Sequence, residues 1–415
     1  MNTGIAVVII FPEEQGILKS EIAGRPAGEF LLENLNACDE VDVKTPVNGE
    51  GGYQPTFEKF PNISQCKLSE LLTEEPADRG LLIIDARAWL SGTGLADVLS
   101  KVRSATTGIR IVESNANALA ACREAMTLAV YLPPEDLRPD LFVGEYTAAG
   151  QGLESVLGPG VMASTSAIAC TEPDDMPAAA IIDSFADLAE IERRLLLGRA
   201  TAAMKHGVRV RDPNTVYIRG SLVCGAGVEI EPNVIIEGQV VVGHGARIGA
   251  NSILRSCRIG DNAKIHPFSL VEDASIGANS FVGPYGRVRP GSVIGDNVQI
   301  GNYVEIKNSR IGAGSRINHH TFIGDAILAD EVTIGAGTIT CNHDGFGTNQ
   351  TVIERGAYVG SGCNLVAPLH IGQDAVIGAG STIASDVPAM RLSLARERQV
   401  TVEGWTGPKS RRQRK

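Results

Sequence analysis

Two adjacent histidines and a pair of distant cations are the residues of this chain whose types suggest chemistry. His319 is followed directly by His320, and an imidazole, which titrates near neutral pH, can take a proton from a nucleophile. Arg289 and Lys307 could together bind a dianion such as a phosphate group. Taken alone, each of these residues is more simply explained as a solvated surface side chain. Their meaning therefore depends on the elements that position them.

A six-residue repeat predicts those elements. Aliphatic residues recur every six positions in two long runs, which are Val282, Val288, Ile294, Ile300, Ile306 and Val359, Leu365, Ile371, Ile377, Ile383. This period fits neither an α-helix nor an alternating strand, but it is typical of a parallel β-helix, in which three hexapeptides form one triangular coil. Each coil covers the apolar face of its neighbour. Residues 216–388 are therefore predicted to form a β-helix domain, with Arg289 and Lys307 on successive coils.

The repeat is interrupted once, between Thr340 and Val352. The stretch between them is polar and contains glycine, which predicts a loop extruded from one coil. Loops on rigid scaffolds often carry function. A tolerated insertion explains the interruption equally well.

The rest of the chain has a different organisation. Residues 1–183 alternate between strand and helix patterns, which predicts an α/β domain with a parallel sheet. The predicted strands are residues 4–10, 81–85 and 109–113, and the predicted helices are residues 29–35, 95–102 and 116–129. Residues 184–215 are predicted to be a linker helix capped by Asp183 or Ser184, and residues 389–415 a C-terminal tail with a basic end.

Composition limits the functional classes. The net charge of −11 argues against general nucleic-acid affinity. No apolar run reaches the length of a membrane helix, so membrane insertion is not expected. The eight cysteines are scattered, without a CxxC pair or metal-type spacing. They are typical of a reducing compartment, so the protein is expected in the cytoplasm.

Several phrases within and beside the repeat closely resemble one family over residues 206–405. In chain order they include Val210-Arg211-Asp212-Pro213, Val288-Arg289-Pro290-Gly291, Gly301-Asn302-Tyr303-Val304-Glu305-Ile306-Lys307, Ile334-Gly335-Ala336-Gly337-Thr338-Ile339-Thr340-Cys341-Asn342 and Leu365-Val366-Ala367-Pro368. This stretch resembles the acetyltransferase half of the bacterial bifunctional enzyme glucosamine-1-phosphate N-acetyltransferase / N-acetylglucosamine-1-phosphate uridylyltransferase. The resemblance implies a left-handed β-helix, acetyl-CoA as co-substrate, a homotrimer with sites between subunits, and a place in UDP-N-acetylglucosamine biosynthesis.

The resemblance also implies roles for individual residues. His319 matches the family's general base, and His320 is expected to point the other way. The positions that hold the sugar 1-phosphate are matched by Arg289 and Lys307, and polar positions lining the sugar site are matched by Glu305 and Asn342. The positions that hold the acetyl-CoA arm and its phosphate are matched by Ala336, Ser361, Ala379 and Arg396.

Four acceptor-site positions differ from the family pattern. Phe322 and His343 stand where the family has tyrosine, Thr333 where it has asparagine, and Thr348 where it has lysine. Losing a charged hydrogen bond from a phosphate site would cost about 1.5–3 kcal/mol. Glucosamine 1-phosphate is therefore the favoured acceptor, and a related amino-sugar phosphate is the alternative.

Residues 1–183 depart further from the family. Its nucleotidyltransferase relatives follow the first strand with a glycine-rich loop and basic residues that hold a nucleoside triphosphate, whereas residues 11–15 here read Phe-Pro-Glu-Glu-Gln. Asp85 and Asp183 resemble two metal-binding positions, although each is more simply a cap or turn residue. The segment is predicted to be a diverged nucleotidyltransferase-like domain that would need Mg²⁺ only if it is active.

Three functional hypotheses remain open on the sequence. The leading one is acetyl-CoA-dependent N-acetylation of glucosamine 1-phosphate. The second is a bifunctional enzyme that also transfers a nucleotidyl group, and the third is a trimeric scaffold that binds without catalysis.

Overall fold

The computed structural model describes residues 184–403 and 405, together with residues 5–10, 21–22, 25–26, 32, 35, 41–46, 63–66, 80–85, 88–90, 98–102, 109–112, 127–132, 166–169 and 179–181. The chain divides into two compact units, Met1–Arg199 and Ala200–Lys415. Among the described residues, no helix has both the length and the apolar composition required to cross a membrane.

The first unit contains eleven described strands. They are β1 Ile5–Ile10, β2 Glu21–Ile22, β3 Arg25–Pro26, β4 Val41–Pro46, β5 Ile63–Cys66, β6 Gly80–Asp85, β7 Ala88–Leu90, β8 Ile109–Val112, β9 Thr127–Leu132, β10 Ser166–Ala169 and β11 Ala179–Ile181. Seven of them form a sheet in the order β10-β8-β9-β6-β1-β4-β5. The three predicted strands are present as β1, β6 and β8, and Leu32, Leu35 and residues 98–102 are helical where helices were predicted.

The predicted parallel sheet is confirmed except at β9. This strand runs antiparallel to both of its neighbours, β6 and β8, while the pairs β1–β4, β1–β6, β4–β5 and β8–β10 are parallel. The helix predicted over residues 116–129 is therefore wrong at its end. The Thr-Leu-Ala-Val-Tyr-Leu sequence of β9 suits a central strand, and pairing on both edges overrides its weak helical pattern.

One long helix, α1, spans Phe185–Lys205. Ser184 is its N-cap, because the Ser184 hydroxyl accepts from the Asp187 amide and the Asp187 carboxylate accepts in return from the Ser184 amide at 2.8 Å. Leu188 and Ile191 are buried, whereas Phe185 is 74% exposed. Gly207, at φ 89°, follows the helix end.

The second unit is a three-faced solenoid of parallel strands, as the repeat predicted. The first face contains Arg209–Val210, Glu229–Ile230, Arg247–Ile248, Lys264–Ile265, Phe281–Val282, Gln299–Asn302, Arg316–His319, Thr333–Ile334, Tyr358–Val359, Val376–Ile377 and Leu392–Ser393. The second face contains Ile253–Arg255, Leu270–Glu272, Arg287–Val288, Glu305–Lys307, Phe322–Gly324, Ile339–Cys341, Asn364–Val366 and Thr382–Ile383. The third face contains Arg258–Ile259, Ser275–Ile276, Val293–Ile294, Arg310–Ile311, Ala326–Leu328, Thr351–Ile353 and Leu369–Ile371. The two longer strands Tyr217–Cys224 and Ile235–Val242 each run across both the second and the third face at the start of the solenoid.

The aliphatic residues of the repeat fill the solenoid interior. On the first face Val282, Ile300, Ile317, Ile334 and Val359 stack in register, each at most 1% exposed. Most coils therefore take 17 or 18 residues. The coil from Ile334 to Val359 takes 25, because it carries the predicted extruded loop.

In nine coils, a left-handed backbone residue turns the chain from the first face to the second. These residues are Asn233, Asn251, Phe268, Tyr285, Tyr303, His320, Gly337, Gly362 and Gly380, with φ between 48° and 74°. We call this edge of the solenoid the first corner. A left-handed conformation costs a side-chain-bearing residue about 1–2 kcal/mol, and stacking between aromatic rings returns about 0.5–1.5 kcal/mol per pair.

Candidate active site

His319 lies at the first corner, at the end of the strand Arg316–His319. It pairs in register with Asn302 of the preceding coil, and its Nδ1 is hydrogen-bonded to the Asn302 side-chain oxygen. Because an amide oxygen only accepts, Nδ1 must carry the hydrogen, which leaves the Nε2 lone pair available. The His319 carbonyl accepts from Gly337 N at 3.1 Å and from the Thr321 hydroxyl at 2.8 Å. Asn302 thus holds the exposed imidazole, and Gly337 and Thr321 fix the backbone beneath it, so that Nε2 is left to act as a base.

The predicted acetyl-CoA positions continue the line of His319 along the first corner. Ala336, Ser361 and Ala379 occupy the equivalent position in the next three coils, as shown by hydrogen bonds from Gly362 N to Ala336 O at 2.7 Å and from Gly380 N to Ser361 O at 2.8 Å. Parallel coils are about 4.8 Å apart, so this line extends about 14 Å from His319.

The backbone amides of these three residues are available to a ligand. Within residues 184–403, no atom accepts a hydrogen bond from Ala336 N, Ser361 N or Ala379 N. At the corner between the third and first faces, by contrast, the equivalent amides of Ala278 and Ala313 donate at 2.7 Å to aspartate side chains of the next coil. The first corner therefore presents a row of amide donors without acceptors in the described part of the chain, whereas the amides of Ala278 and Ala313 at the corner between the third and first faces are hydrogen-bonded to aspartates.

Arg396 completes this line. Its Nη1 donates to the Ala379 carbonyl at 2.8 Å, although it is 17 residues away in the sequence and beyond the last strand. Glycines before the corner let the coils approach closely: a Cβ on Gly335 would lie 2.5 Å from Ser361 N, and one on Gly360 would lie 2.5 Å from Ala379 N. The structure thus brings together all four residues predicted to contact acetyl-CoA.

The predicted phosphate-binding residues lie on the second face. Arg289 and Lys307 are neighbours on successive coils, because Arg289 N donates to Ile306 O at 2.8 Å. Each already has a carboxylate partner: Arg289 Nη1 is 2.8 Å from Glu305, and Lys307 Nζ is 3.5 Å from Asp325. Both cations are about one-third exposed (34% and 33%), so they remain accessible to an anion.

Asp325 is the centre of a polar cluster that the sequence did not indicate. Its carboxylate accepts from Asn308 Nδ2 and from Asn342 Nδ2, both at 2.6 Å, in addition to Lys307. Burial raises the pKa of Asp325, but the two amide hydrogen bonds and the Lys307 charge outweigh burial and hold the pKa below its ordinary value. The cluster therefore fixes Asn342, at the start of the extruded loop, beside the cations.

Phe322 and Thr333, two of the positions that depart from the family pattern, lie on different faces. The Phe322 ring lies beside Gly324 on the second face, where a Cβ on the glycine would be 2.6 Å from the ring and 2.8 Å from Asn342 Nδ2. Thr333 pairs with Arg316 and Tyr358 on the first face. Within one chain, Thr333 therefore lies on a different face from Phe322, Glu305 and Lys307.

The extruded loop runs between Ile339–Cys341 and Thr351–Ile353 and folds on itself. His343 bridges to Thr348, and the Asp344 carboxylate accepts from Phe346 N and Gly347 N, both at 2.9 Å. These backbone hydrogen bonds and one from the Asn349 side chain lower the pKa of Asp344 to about 2. Phe346 at the tip is fully exposed. The loop is thus preformed, and it presents the Phe346 side chain to solvent.

The two predicted metal-binding aspartates can be compared only in part. Asp85 is the last residue of β6 and pairs with Ile10, which agrees with its predicted place at a strand end. Asp183 lies outside the described residues. In the described part of the chain, no group of three or more His, Cys, Asp or Glu side chains is arranged to hold a metal ion.

Comparison with known proteins agrees with this architecture. The family model for the GMPPB C-terminal domain matches residues 214–300 and 271–349, and the model for the hexapeptide repeat of succinyl-transferase matches residues 350–385. Both matches fall on the solenoid. Among solved structures, the UDP-N-acetylglucosamine acyltransferase of Francisella novicida is 22% identical, with 42% of this chain and 65% of that chain covered and a TM-score of 0.24.

Three curated relatives share most of their length with this chain, and each is named bifunctional protein GlmU. The protein from Azoarcus sp. (strain BH72) is 39% identical over 407 residues, covering 93% of this chain and 88% of the relative. The protein from Acidithiobacillus ferrooxidans (strain ATCC 23270) is 42% identical over 416 residues, covering 98% and 87%. The protein from Herminiimonas arsenicoxydans is 37% identical over 352 residues, covering 84% and 76%. With this identity across both units, the chain belongs to the GlmU family of bifunctional acetyltransferase–uridylyltransferases, as its sequence phrases predicted.

Proposed function

We propose that this chain transfers the acetyl group of acetyl-CoA to the amino group of glucosamine 1-phosphate, with His319 as the general base. The observation that supports this most strongly is the line along the first corner. An anchored imidazole with a free Nε2 is followed, coil by coil, by three unoccupied backbone amides and by Arg396. This is the arrangement that an extended thioester substrate needs in order to end at a base.

Because Nε2 of His319 carries a lone pair, it can accept the proton that the reaction releases. The sugar amine attacks the thioester carbonyl carbon, so that a C–N bond forms and the C–S bond breaks. His319 Nε2 takes the proton that the amine loses and returns it to the departing CoA thiolate. The amides of Ala336, Ser361 and Ala379 donate to oxygens of the pantetheine arm, and Arg396 meets a CoA phosphate.

Arg289 and Lys307 hold the sugar phosphate. In the absence of substrate, Glu305 and Asp325 keep the two cations ordered at their places on the second face. A phosphate dianion then adds charge-assisted hydrogen bonds to an existing cluster. Glu305, Asn342 and Phe322 line the sugar beside it.

The separation of Thr333 supports a site shared between subunits. Thr333 lies on the first face and Lys307 on the second, so we assign them to a site that different subunits contribute to. In a homotrimer, the first face of one subunit can meet the second face of the next. The exposed Phe346 at the loop tip would then contact the neighbouring subunit.

Thiol release from acetyl-CoA in the presence of glucosamine 1-phosphate tests the proposal. We expect release by the wild-type protein and its loss in His319→Ala. His244→Ala removes an exposed histidine on the corner between the third and first faces, four coils before His319; it serves as the matched control and should keep activity. Full activity of His319→Ala would refute the mechanism, and CoA binding without acetylation of any amino sugar would favour the non-catalytic scaffold.

A second activity, uridylyl transfer, remains a candidate because the GlmU relatives align with residues of both units, covering up to 98% of the chain. The chemistry would need Mg²⁺, for which Asp85 and Asp183 are the candidate ligands. The two glutamates within residues 11–15 disfavour a triphosphate there. Pyrophosphate release from UTP and N-acetylglucosamine 1-phosphate distinguishes the possibilities, and its absence at high enzyme concentration would exclude this activity. The scattered cysteines, which are typical of a reducing compartment, support a cytoplasmic location.

A further inference from the structure

The left-handed residues of the first corner change in type immediately beside His319. The four that lead up to it are aromatic, Phe268, Tyr285, Tyr303 and His320, and the three that follow are Gly337, Gly362 and Gly380. Glycine adopts this conformation without strain, while bulky side chains rarely occupy it. Four consecutive aromatic residues at strained positions, followed by three glycines, point to a role for the rings.

The four aromatic side chains form one continuous stack. Ring centroids are 5.0 Å apart between Phe268 and Tyr285, 5.0 Å between Tyr285 and Tyr303, and 4.8 Å between Tyr303 and His320, with interplanar angles of 7°, 6° and 19°. Phe268, Tyr285 and Tyr303 are each about half exposed. We call this stack the aromatic wall. His320 is its last ring and adjoins the candidate base in the sequence.

The glycine side of the corner is open. A Cβ placed on Gly362 or Gly380 would meet nothing within 4 Å, and one placed on Gly337 would meet only the backbone of Gly362 at 3.8 Å. These glycines alternate with Ala336, Ser361 and Ala379, whose amides are unoccupied within residues 184–403. We call this stretch the glycine trough. It is continuous with the aromatic wall, and the boundary between them lies at His319 and His320.

We propose that the His320 ring, which ends the aromatic wall beside His319, is the acyl-length stop of the acetyltransferase and its specificity-determining residue. A pantetheine arm lying in the glycine trough brings its thioester to His319, and the acyl group beyond the thioester meets the His320 ring. A methyl group would fit short of the ring, whereas a longer acyl chain would run into it. This inference rests on the proposed function, because it assumes that the arm follows the trough.

His320→Gly gives a direct test. The variant extends the glycine trough by one coil. Because glycine adopts the left-handed conformation without strain, the corner keeps its backbone conformation. Acetyl-, propionyl- and butyryl-CoA are compared with glucosamine 1-phosphate as acceptor. We expect the wild type to prefer acetyl-CoA over propionyl-CoA by about tenfold or more in kcat/KM, the usual discrimination for one methylene. His320→Gly should reduce that preference by about tenfold. The ratio is the readout, because a general loss of activity would affect both substrates equally.

Two further variants sharpen the test. Phe268→Asn removes the ring farthest from His319 at a position where the preceding coil has Asn251 at φ 59°, and it should leave the acetyl-to-propionyl ratio unchanged. His320→Asn, which also tolerates the left-handed conformation, replaces His320→Gly if the glycine variant does not fold. An unchanged ratio in an active His320 variant, or an equal change in Phe268→Asn, would overturn the inference. Absence of acetyl transfer in the wild type would instead refute the proposed function.

Discussion

The hydrogen bond between Asn302 and His319 leads to the most direct prediction about the mechanism. Asn302 occupies the coil before His319, and its side-chain oxygen holds Nδ1. If this contact sets the tautomer and orientation of the base, changing Asn302 should change proton transfer without changing acetyl-CoA binding. The relevant perturbations are Asn302→Ala, which removes the contact, and Asn302→Asp, which replaces the amide with a carboxylate.

The expected magnitudes follow from the surroundings of the pair. A neutral hydrogen bond contributes about 0.5–1.5 kcal/mol, which is about a two- to twelvefold loss of kcat for Asn302→Ala at 1.36 kcal/mol per tenfold. His319 is exposed, so an ion pair with Asp at position 302 is worth about 0.2–1 kcal/mol. Because that pair stabilises the imidazolium, the acid limb of the pH–rate profile should move upward by about 0.15–0.7 pH units.

The assay is thiol release at saturating acetyl-CoA and glucosamine 1-phosphate across a range of pH. Asn297→Asp is the matched control: it adds the same charge at an exposed left-handed position on another corner and should leave the profile unchanged. Wild-type kcat in Asn302→Ala, together with an unmoved acid limb in Asn302→Asp, would refute the reasoning. A rise in the KM for acetyl-CoA without a change in kcat would also contradict it.

Three further predictions concern the second face and the loop. Lys307→Ala should raise the KM for glucosamine 1-phosphate by about 10- to 140-fold, the equivalent of 1.5–3 kcal/mol, and an unaltered KM in steady-state kinetics would exclude Lys307 from the phosphate site. Asp325→Asn should lower the melting temperature at pH 7. The folded-state pKa of Asp325 lies below the ordinary 3.8, so the ionised carboxylate stabilises the folded protein above that pH, and this stabilisation is lost as the pH falls further. The melting temperatures of the wild type and Asp325→Asn should therefore converge in acid. A difference that stays constant with pH would contradict this. Asp344→Asn should speed amide hydrogen exchange at Phe346 and Gly347, whose amides donate to the Asp344 carboxylate, and unchanged protection measured by NMR would show that the loop is held by other contacts.

Prediction from the sequence succeeded where a regular period encodes burial. The six-residue spacing places Ile300 and Ile306 in the interior, and both are fully buried. The polar interruption after Thr340 is an extruded loop. The failed end of the helix predicted over residues 116–129 shows the limit of the same reasoning, because β9 owes its conformation to strands on both sides.

The residues that hydrogen-bond to the site residues could not be predicted from sequence patterns. Asn302 is 17 residues before His319, and Asp325 is 18 residues after Lys307. Whether a coil takes 17 or 18 residues depends on how each corner closes, and one residue of difference turns a neighbour to the other side of the strand. The Asp325 cluster and the aromatic wall both depend on this register between neighbouring coils.

The sequence by itself determined the solenoid architecture, the position of its one extruded loop and membership of the GlmU family. The reason is that inward-pointing aliphatic residues must recur with the period of the coil, and the phrases between them are specific to the family. Only the tertiary structure decided which groups meet. Stacking of coils about 4.8 Å apart brings Asn302 to His319, Asp325 to Lys307 and Arg396 to Ala379. These contacts are made between coils, so they depend on register and corner geometry rather than on local sequence.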